Sequence, residues 1–197
     1  MKKILLVFGI RPEAIKMAPL VKEFKKNPDL FDTKVCVTAQ HREMLDQVLS
    51  FFELHPDFDL NLMKPNQNLH SLTGIIIEEL RKDINDFQPD LIGVSAMTFH
   101  KNFFHEAIKE IRKRGYNNMI IVGGPHPTTS FKEVLNDKNI DVCVIGEGEA
   151  TLAEIVDKLM SKKKKLLDYS ELVKIDGIAF DKTKYLENSN SLKVSNF

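Results

Sequence analysis

Two sets of residues have types and spacings that could do chemistry. The first is "GIRPEAIKMAPL" (9–20), directly after the apolar run "ILLVF". Gly9 lets the chain turn sharply at a strand end, and Pro12 suits the first turn of a helix, where its missing N–H costs nothing. Free amides at that helix start, together with Arg11, suit a phosphate. The same spacing equally serves a plain strand-to-helix turn with a solvated arginine. The second set comprises Ser95, Met97 and Thr98 in "GVSAMTFH", Gly123, Gly124 and His126 in "GGPHPTTS", and Gly146 and Gly148 in "GEGEATL". Small residues at strand ends let a flat or elongated ligand lie against the backbone, although glycines before Pro125 also serve simply to permit the turn. His126 fits either a ligand contact or a loop cap. His100 and His105 are five residues apart, off the i, i+4 helical face, and read as ordinary surface or core residues.

The elements that must position these residues follow from hydrophobic patterning. Strands are predicted at 3–9, 33–39, 58–63, 91–97, 119–125 and 141–147, and helices at 12–26, 41–53, 69–87, 103–114, 130–136 and 150–163. In "FFHEAIKEIRKRG", Phe104, Ile108 and Ile111 form the buried stripe, and Gly115 supplies the stop. Strand–helix alternation with nearly continuous apolar strands means a parallel sheet covered on both faces. The expected fold is α/β, a doubly wound three-layer sandwich of the Rossmann or flavodoxin-like kind, with parallel strand order 3-2-1-4-5-6 and right-handed crossovers. After Lys164 the character changes. "VKIDGIAFDKTKY" has a strand–turn–strand flavour around "DKTK", and "ENSNSLKVSNF" reads as a polar tail. This gives one domain over 1–165 and a small C-terminal hairpin with its tail over 166–197.

Composition narrows the partners. The chain has 197 residues, 43% of them hydrophobic, enough for one well-buried core. Lys plus Arg and Asp plus Glu both number 28, so no basic excess points to nucleic acid. The run "SKKKK" (161–165) reads as a solvated helix end. Cys36 and Cys143 lie inside apolar runs and read as buried thiols of a reducing cytosol. Without C-x-x-C spacing they build neither an iron–sulfur cluster nor a four-cysteine zinc site. No apolar run reaches membrane-span length. The expected partner is a small-molecule ligand in the cytoplasm, with no metal site.

Residues 1–73 resemble the non-hydrolysing UDP-N-acetylglucosamine 2-epimerases. The resemblance is carried by "VFGIRPEAIKMAPLVKEFKKNPDLFDTKVCVTAQHREMLDQVLSFF" and "PDFDLNLMKPNQNLHSLT". In that family a "G-T-R-P-E" turn meets the nucleotide diphosphate. The resemblance therefore implies a contact from Gly9, Arg11 and Lys16, with Gln40 and His41 on the same sheet edge. Ile10 departs from the family's threonine, replacing a hydroxyl with a bulky alkyl group. The family's acid–base carboxylates after its fourth and fifth strands are replaced here by "GVSAMTFH" and "GGPHPTTS". General acid–base chemistry needs a carboxyl or imidazole within hydrogen-bond reach, so epimerisation is not expected.

From about Gly74 to 180 the sequence resembles the cobalamin-binding domain that precedes a radical-SAM barrel. Ser95-x-Met97, the Gly123–Gly124 pair and "GEGEATL" carry this, Ser95 and Gly123 being 28 residues apart. The implied cofactor is cobalamin, touching Ser95, Met97, Thr98, Gly123, Gly124, His126, Gly146 and Gly148. The "D-x-H-x-x-G" motif that supplies a histidine lower ligand is missing, which excludes histidine ligation to cobalt by that route. The three-cysteine radical-SAM motif is missing too.

The two resemblances together imply a chimera joined within the third helix, between Leu72 and Leu80. The expectation is an engineered scaffold without native catalysis that keeps a weakened cobalamin site. The alternative is a UDP-binding fragment of the epimerase, with affinity on the order of ~0.1 mM or poorer.

Overall fold

Side-chain alternation along the strands decides the layering. In β1 (Lys2–Phe8), Ile4, Leu6 and Phe8 face one side and Leu5 and Val7 the other, and all five are buried. A strand that is apolar on both faces has to be covered twice. The computed structural model describes residues 1–38, 42–60, 82, 84–97, 101–162, 165–185 and 192–194. One face of its sheet is covered by α1 (Arg11–Lys25), α2 (Arg42–Phe51), α5 (Glu149–Lys162) and the short α6 (Tyr169–Leu172). The other is covered by a helical stretch at 84–87, α3 (Lys101–Lys113) and the end of α4 (Pro125–Val134). Buried positions recur at helical spacing, as with Leu152, Ile155, Val156 and Leu159 in α5. The stripe Phe104, Ile108 and Ile111 in α3 is buried as its spacing predicts.

The remaining strands are β2 (Phe31–Val37), β3 (Phe58–Asp59), β4 (Leu91–Ser95), β5 (Met119–Gly123), β6 (Val142–Val144), β7 (Ile178–Asp181) and β8 (Leu192–Val194). Their order is β3-β2-β1-β4-β5-β6-β7-β8. The expected 3-2-1-4-5-6 core is present and parallel throughout. Across the expected join, β1 pairs with β4 in the register Ile4↔Leu91, Leu5↔Ile92, Leu6↔Gly93 and Val7↔Val94. Three aspartates fix registers at the N-terminal edge. Each precedes a strand and accepts an amide from its neighbour: Asp90 from Lys3 (2.9 Å), Asp57 from Val35 (3.0 Å) and Asp141 from Ile120 (2.8 Å). Arg112 neutralises Asp141 at 2.5 Å and also donates to the carbonyls of Tyr116, Asn118 and Asn139.

Several expectations are corrected. The predicted helix at 130–136 is α4, which begins at Pro125 and is kinked at Ser130 (φ −137°, ψ 32°). "DKTK" is no hairpin turn. Asp181 ends β7 and its carboxylate accepts from the Thr183 amide at 2.9 Å, starting a 3-10 turn over Lys182–Lys184. The partner strand of the hairpin is "LKV" (192–194), from the segment read as a polar tail. Its three residues are too few to show a period. β7 pairs antiparallel with β6 and extends the main sheet. The strand predicted at 58–63 ends at Asp59 among the described residues. The helix predicted at 69–87 falls largely outside them, as does the expected join. No helix among the described residues is long and apolar enough to cross a membrane.

Phe180 in β7 is fully buried and meets Tyr169 and Tyr185 edge-on, with ring centroids 6.0 and 5.8 Å away. Phe180→Ala is therefore expected to lower the unfolding free energy by about 3–5 kcal/mol. The whole chain, wild type or variant, should melt in one transition. Urea titration followed by circular dichroism, together with calorimetry, checks both. A loss below about 1 kcal/mol would mean that β7 is an appendage to the core.

Candidate functional site

The C-terminal edge of the sheet opens into a cavity of about 560 Å³ between α1 and α5. It exists because the strands run out of side chains there. On the face beneath those helices, β4 presents Gly93 and Ser95, and β5 presents Gly123 after Ile121. A Cβ on Gly93 would lie 3.0 Å from Leu6 Cδ2, and one on Gly148 would lie 2.9 Å from Val144 Cγ1. Gly124 begins α4 with φ 100°, and a Cβ there would press on Ser95 Oγ and the Ala96 backbone at 3.1–3.3 Å. Backbone therefore replaces side chain along this wall, which is what close approach by a ligand requires.

Thr128 ties the two glycine loops together. Its hydroxyl donates to the Gly124 carbonyl at 2.8 Å and accepts from the Gly146 amide at 3.0 Å. Gly146 itself has φ 77°. The opposite wall is Lys16, Met17 and Leu20 of α1, and exposed Glu147 and Glu149 stand at the mouth. The lining is mainly apolar with a few convergent polar groups, a surface suited to binding.

The start of α1 departs from the expected phosphate site. Ile10 is the N-cap residue and has no side-chain oxygen to offer. Glu13 reaches back instead, and its carboxylate accepts from the Gly9 amide at 2.7 Å and the Ile10 amide at 3.2 Å. The two amides just before the helix are thus already taken by an internal carboxyl. Gly9 is required for its fit, since a Cβ would sit 2.2 Å from Thr38 Oγ1. Glu13 is only 5% exposed. Burial pushes its pKa up from 4.5 to about 7, against the lowering effect of the two amides.

Of the residues singled out from sequence, Ser95, Gly123, Gly124, Gly146, Gly148 and Lys16 line the large cavity. Gly9 and Met97 line a separate small cavity of about 40 Å³, shared with Ser95 and Glu13. Arg11 is exposed and lines neither. His126 is fully buried on the other face of the sheet, edge-on to Phe104 with centroids 5.9 Å apart. That is a core position, and His126 is not among the lining of either cavity. His105 lies 2.7 Å from Asp137, tying α3 to the loop after α4. Gln40, His41, Thr98 and His100 lie outside the described residues. Sequence reasoning missed Gly93 and Thr128. The glycine inside the apolar run "LIGVS" was a usable signal, whereas nothing local marks Thr128.

The sequence profile of the B12 binding domain matches residues 41–156, more than half the chain. The chain belongs to the B12-binding domain family. Its B12-binding profile begins inside the stretch that resembles the epimerases, so the two likenesses overlap. Over 98 residues, half of this chain, it is 59% identical to the UDP-N-acetylglucosamine 2-epimerase of Salmonella borreze. It spans only 26% of that relative's length. Among solved structures, the UDP-GlcNAc 2-epimerase of Neisseria meningitidis, bound to UDP-GlcNAc, superposes with a TM-score of 0.57 at 36% identity. That match covers 82% of this chain and 43% of the other. A cobalamin-dependent S-adenosylmethionine radical enzyme with aqua-cobalamin and S-adenosylmethionine bound superposes over 100% of this chain and 22% of its own, with a TM-score of 0.61. At 18% identity, that likeness establishes shared fold alone.

Glu13 makes the stability of this B12-binding domain depend on pH. A carboxyl whose folded pKa lies above its unfolded value takes up a proton on folding. Its contribution is then greatest below about pH 4.5, falls as pH rises to about 7, and is flat beyond. The contribution lost is on the order of 3 kcal/mol. Glu13→Gln should remove this component and raise stability at neutral pH, as measured by urea unfolding across that range. A variant with the wild-type pH slope would show that Glu13 is not its source.

Proposed function

We propose that the chain is a corrinoid-binding module without epimerase activity, holding cobalamin at the C-terminal edge of the sheet. The observation that carries this is the cavity whose walls at β4, β5 and the following loops are backbone. Ser95, Gly123, Gly124, Gly146 and Gly148 would hold the ligand, with Thr128 keeping the two glycine loops in place. Gly93 and Gly123 leave room for a bulky, mostly apolar group. When bound, cobalamin supplies cobalt-centred group-transfer chemistry. The loop after β1, "GIRPEAIK", has no histidine to serve as a lower ligand, and buried His126 lies on the opposite face of the sheet.

The absence of epimerisation belongs to the same reading. Where that chemistry needs carboxylates after the fourth and fifth strands, this chain has Ser95-Ala96 and Gly124-Pro125. Joining of two parents by engineering is the origin we infer, supported by likeness to two families within one sheet. The UDP-binding alternative draws on exposed Arg11 at the start of α1. It is the weaker reading, because Glu13 already takes the Gly9 and Ile10 amides.

Equilibrium dialysis against hydroxocobalamin, read by visible absorbance, tests the proposal. The wild-type chain should retain the red ligand. Gly123→Val should reduce retention at least about tenfold with an unchanged melting temperature, since the nearest atom to a Cβ there is 3.8 Å away. A wild type that retains no colour, or a Gly123→Val variant that retains as much as wild type, would overturn it.

A further inference from the structure

We propose that Lys16 is the anion contact of the large cavity, recognising the phosphodiester of a nucleotide-bearing corrinoid and so favouring cobalamin over a corrinoid lacking the nucleotide. This rests on the cobalamin reading above and assigns Lys16 a role apart from the nucleotide-diphosphate contact implied by its sequence motif. Lys16 lies in the stretch that resembles the epimerases, yet it lines the cavity formed at the ends of β4, β5 and β6. It is the one cation among the described lining residues, and it is exposed with no ion pair among the described residues. Its wall neighbours Met17 and Leu20 offer only apolar surface. Glu147 and Glu149 are exposed lining residues and repel an anion, so Lys16 is the one full positive charge in the described lining that can offset them.

Cobalamin suits this distribution chemically. Its ring periphery carries neutral amides, and its single phosphodiester links ring to terminal base. A lysine places a point charge on a flexible apolar stem, able to lie along the Met17–Leu20 surface while its head meets the anion. Beside low-dielectric walls such a contact is screened less than on an open surface.

The test compares cyanocobalamin with dicyanocobinamide, which lacks the phosphodiester and base, by equilibrium dialysis on the full chain. The wild type should hold cyanocobalamin about tenfold more tightly, with the gap narrowing as salt rises. Lys16→Met should close the gap by weakening cyanocobalamin alone, and Lys16→Arg should keep it. Lys16 is exposed, so circular dichroism should report unchanged folding. A gap that survives Lys16→Met, or an equal loss for both corrinoids, would overturn the assignment while leaving the cobalamin reading standing. UDP binding that vanishes in Lys16→Met while corrinoid binding does not change would likewise overturn it and give Lys16 to the nucleotide. If the wild type retains neither corrinoid, both readings fall together.

Discussion

Everything in this fold depends on the pairing of β1 with β4. These strands lie at the switch point, where the chain stops adding strands on one side and begins on the other. β4 lies inside the stretch that the B12 binding domain profile matches, and β1 lies outside it. Four residue pairs, Ile4↔Leu91 to Val7↔Val94, make the contact. A one-residue slip would turn every side chain to the wrong layer. Asp90 guards against that slip, because its carboxylate accepts the Lys3 amide at the first step of the register. The same device recurs with Asp57 and Asp141, so this edge is held by carboxylate–amide bonds whereas the opposite edge opens into the cavity.

The two edges therefore have different polar chemistry. At the N-terminal edge, Arg112, Asp141 and the carbonyls around them satisfy one another, which is how partly buried charge is tolerated. At the C-terminal edge, polar groups are few and the backbone lies bare. Glu13 is the exception. It is a buried carboxylate held by two amides, with its charge opposed by desolvation. It makes the half of a capping box that reaches back to the N-cap amide, and Ile10, which has no hydroxyl to accept the Glu13 amide, is buried.

The architecture was legible in the sequence because both of its periods were strong. Strands such as "ILLVF" are apolar on both faces, and the stripes of α3 and α5 repeat every three or four residues. Strand order followed from strand–helix alternation, handedness and the apolar character of "ILLVF" and "LIGVSAM", which suits them to pair at the centre. The cavity glycines at 123, 124, 146 and 148 were also readable, since small residues at strand ends mark places where backbone is left bare, although the same glycines serve to permit turns. What could not be read was side-chain bonding between distant loops. Thr128 bridging Gly124 and Gly146 depends on where two turns meet in space. Glu13 looked like an ordinary acidic residue of a first helical turn, yet it occupies two amides of the turn where the phosphate reading placed its ligand. His126 was ambiguous because one residue of phase at a helix start decides between cavity and core. "LKV" was read as tail because three residues cannot display a period.

The layering carries a further consequence. Strand alternation divides the interior into two compartments that do not mix, and α1 belongs wholly to the one that includes the cavity. Its residues Ala14, Ala18 and Val21 are buried in the core on that face, Leu20 is buried there while also lining the cavity, and Lys16 and Met17 line the cavity beside it. Core and cavity-lining positions are thus interleaved on one helix, and only Leu20 is both. Such a helix behaves as an exchangeable cassette. A lineage, or a designer, could replace the recognising positions and retune what the wall accepts while strand register, the aspartate edge and the opposite compartment stay as they are.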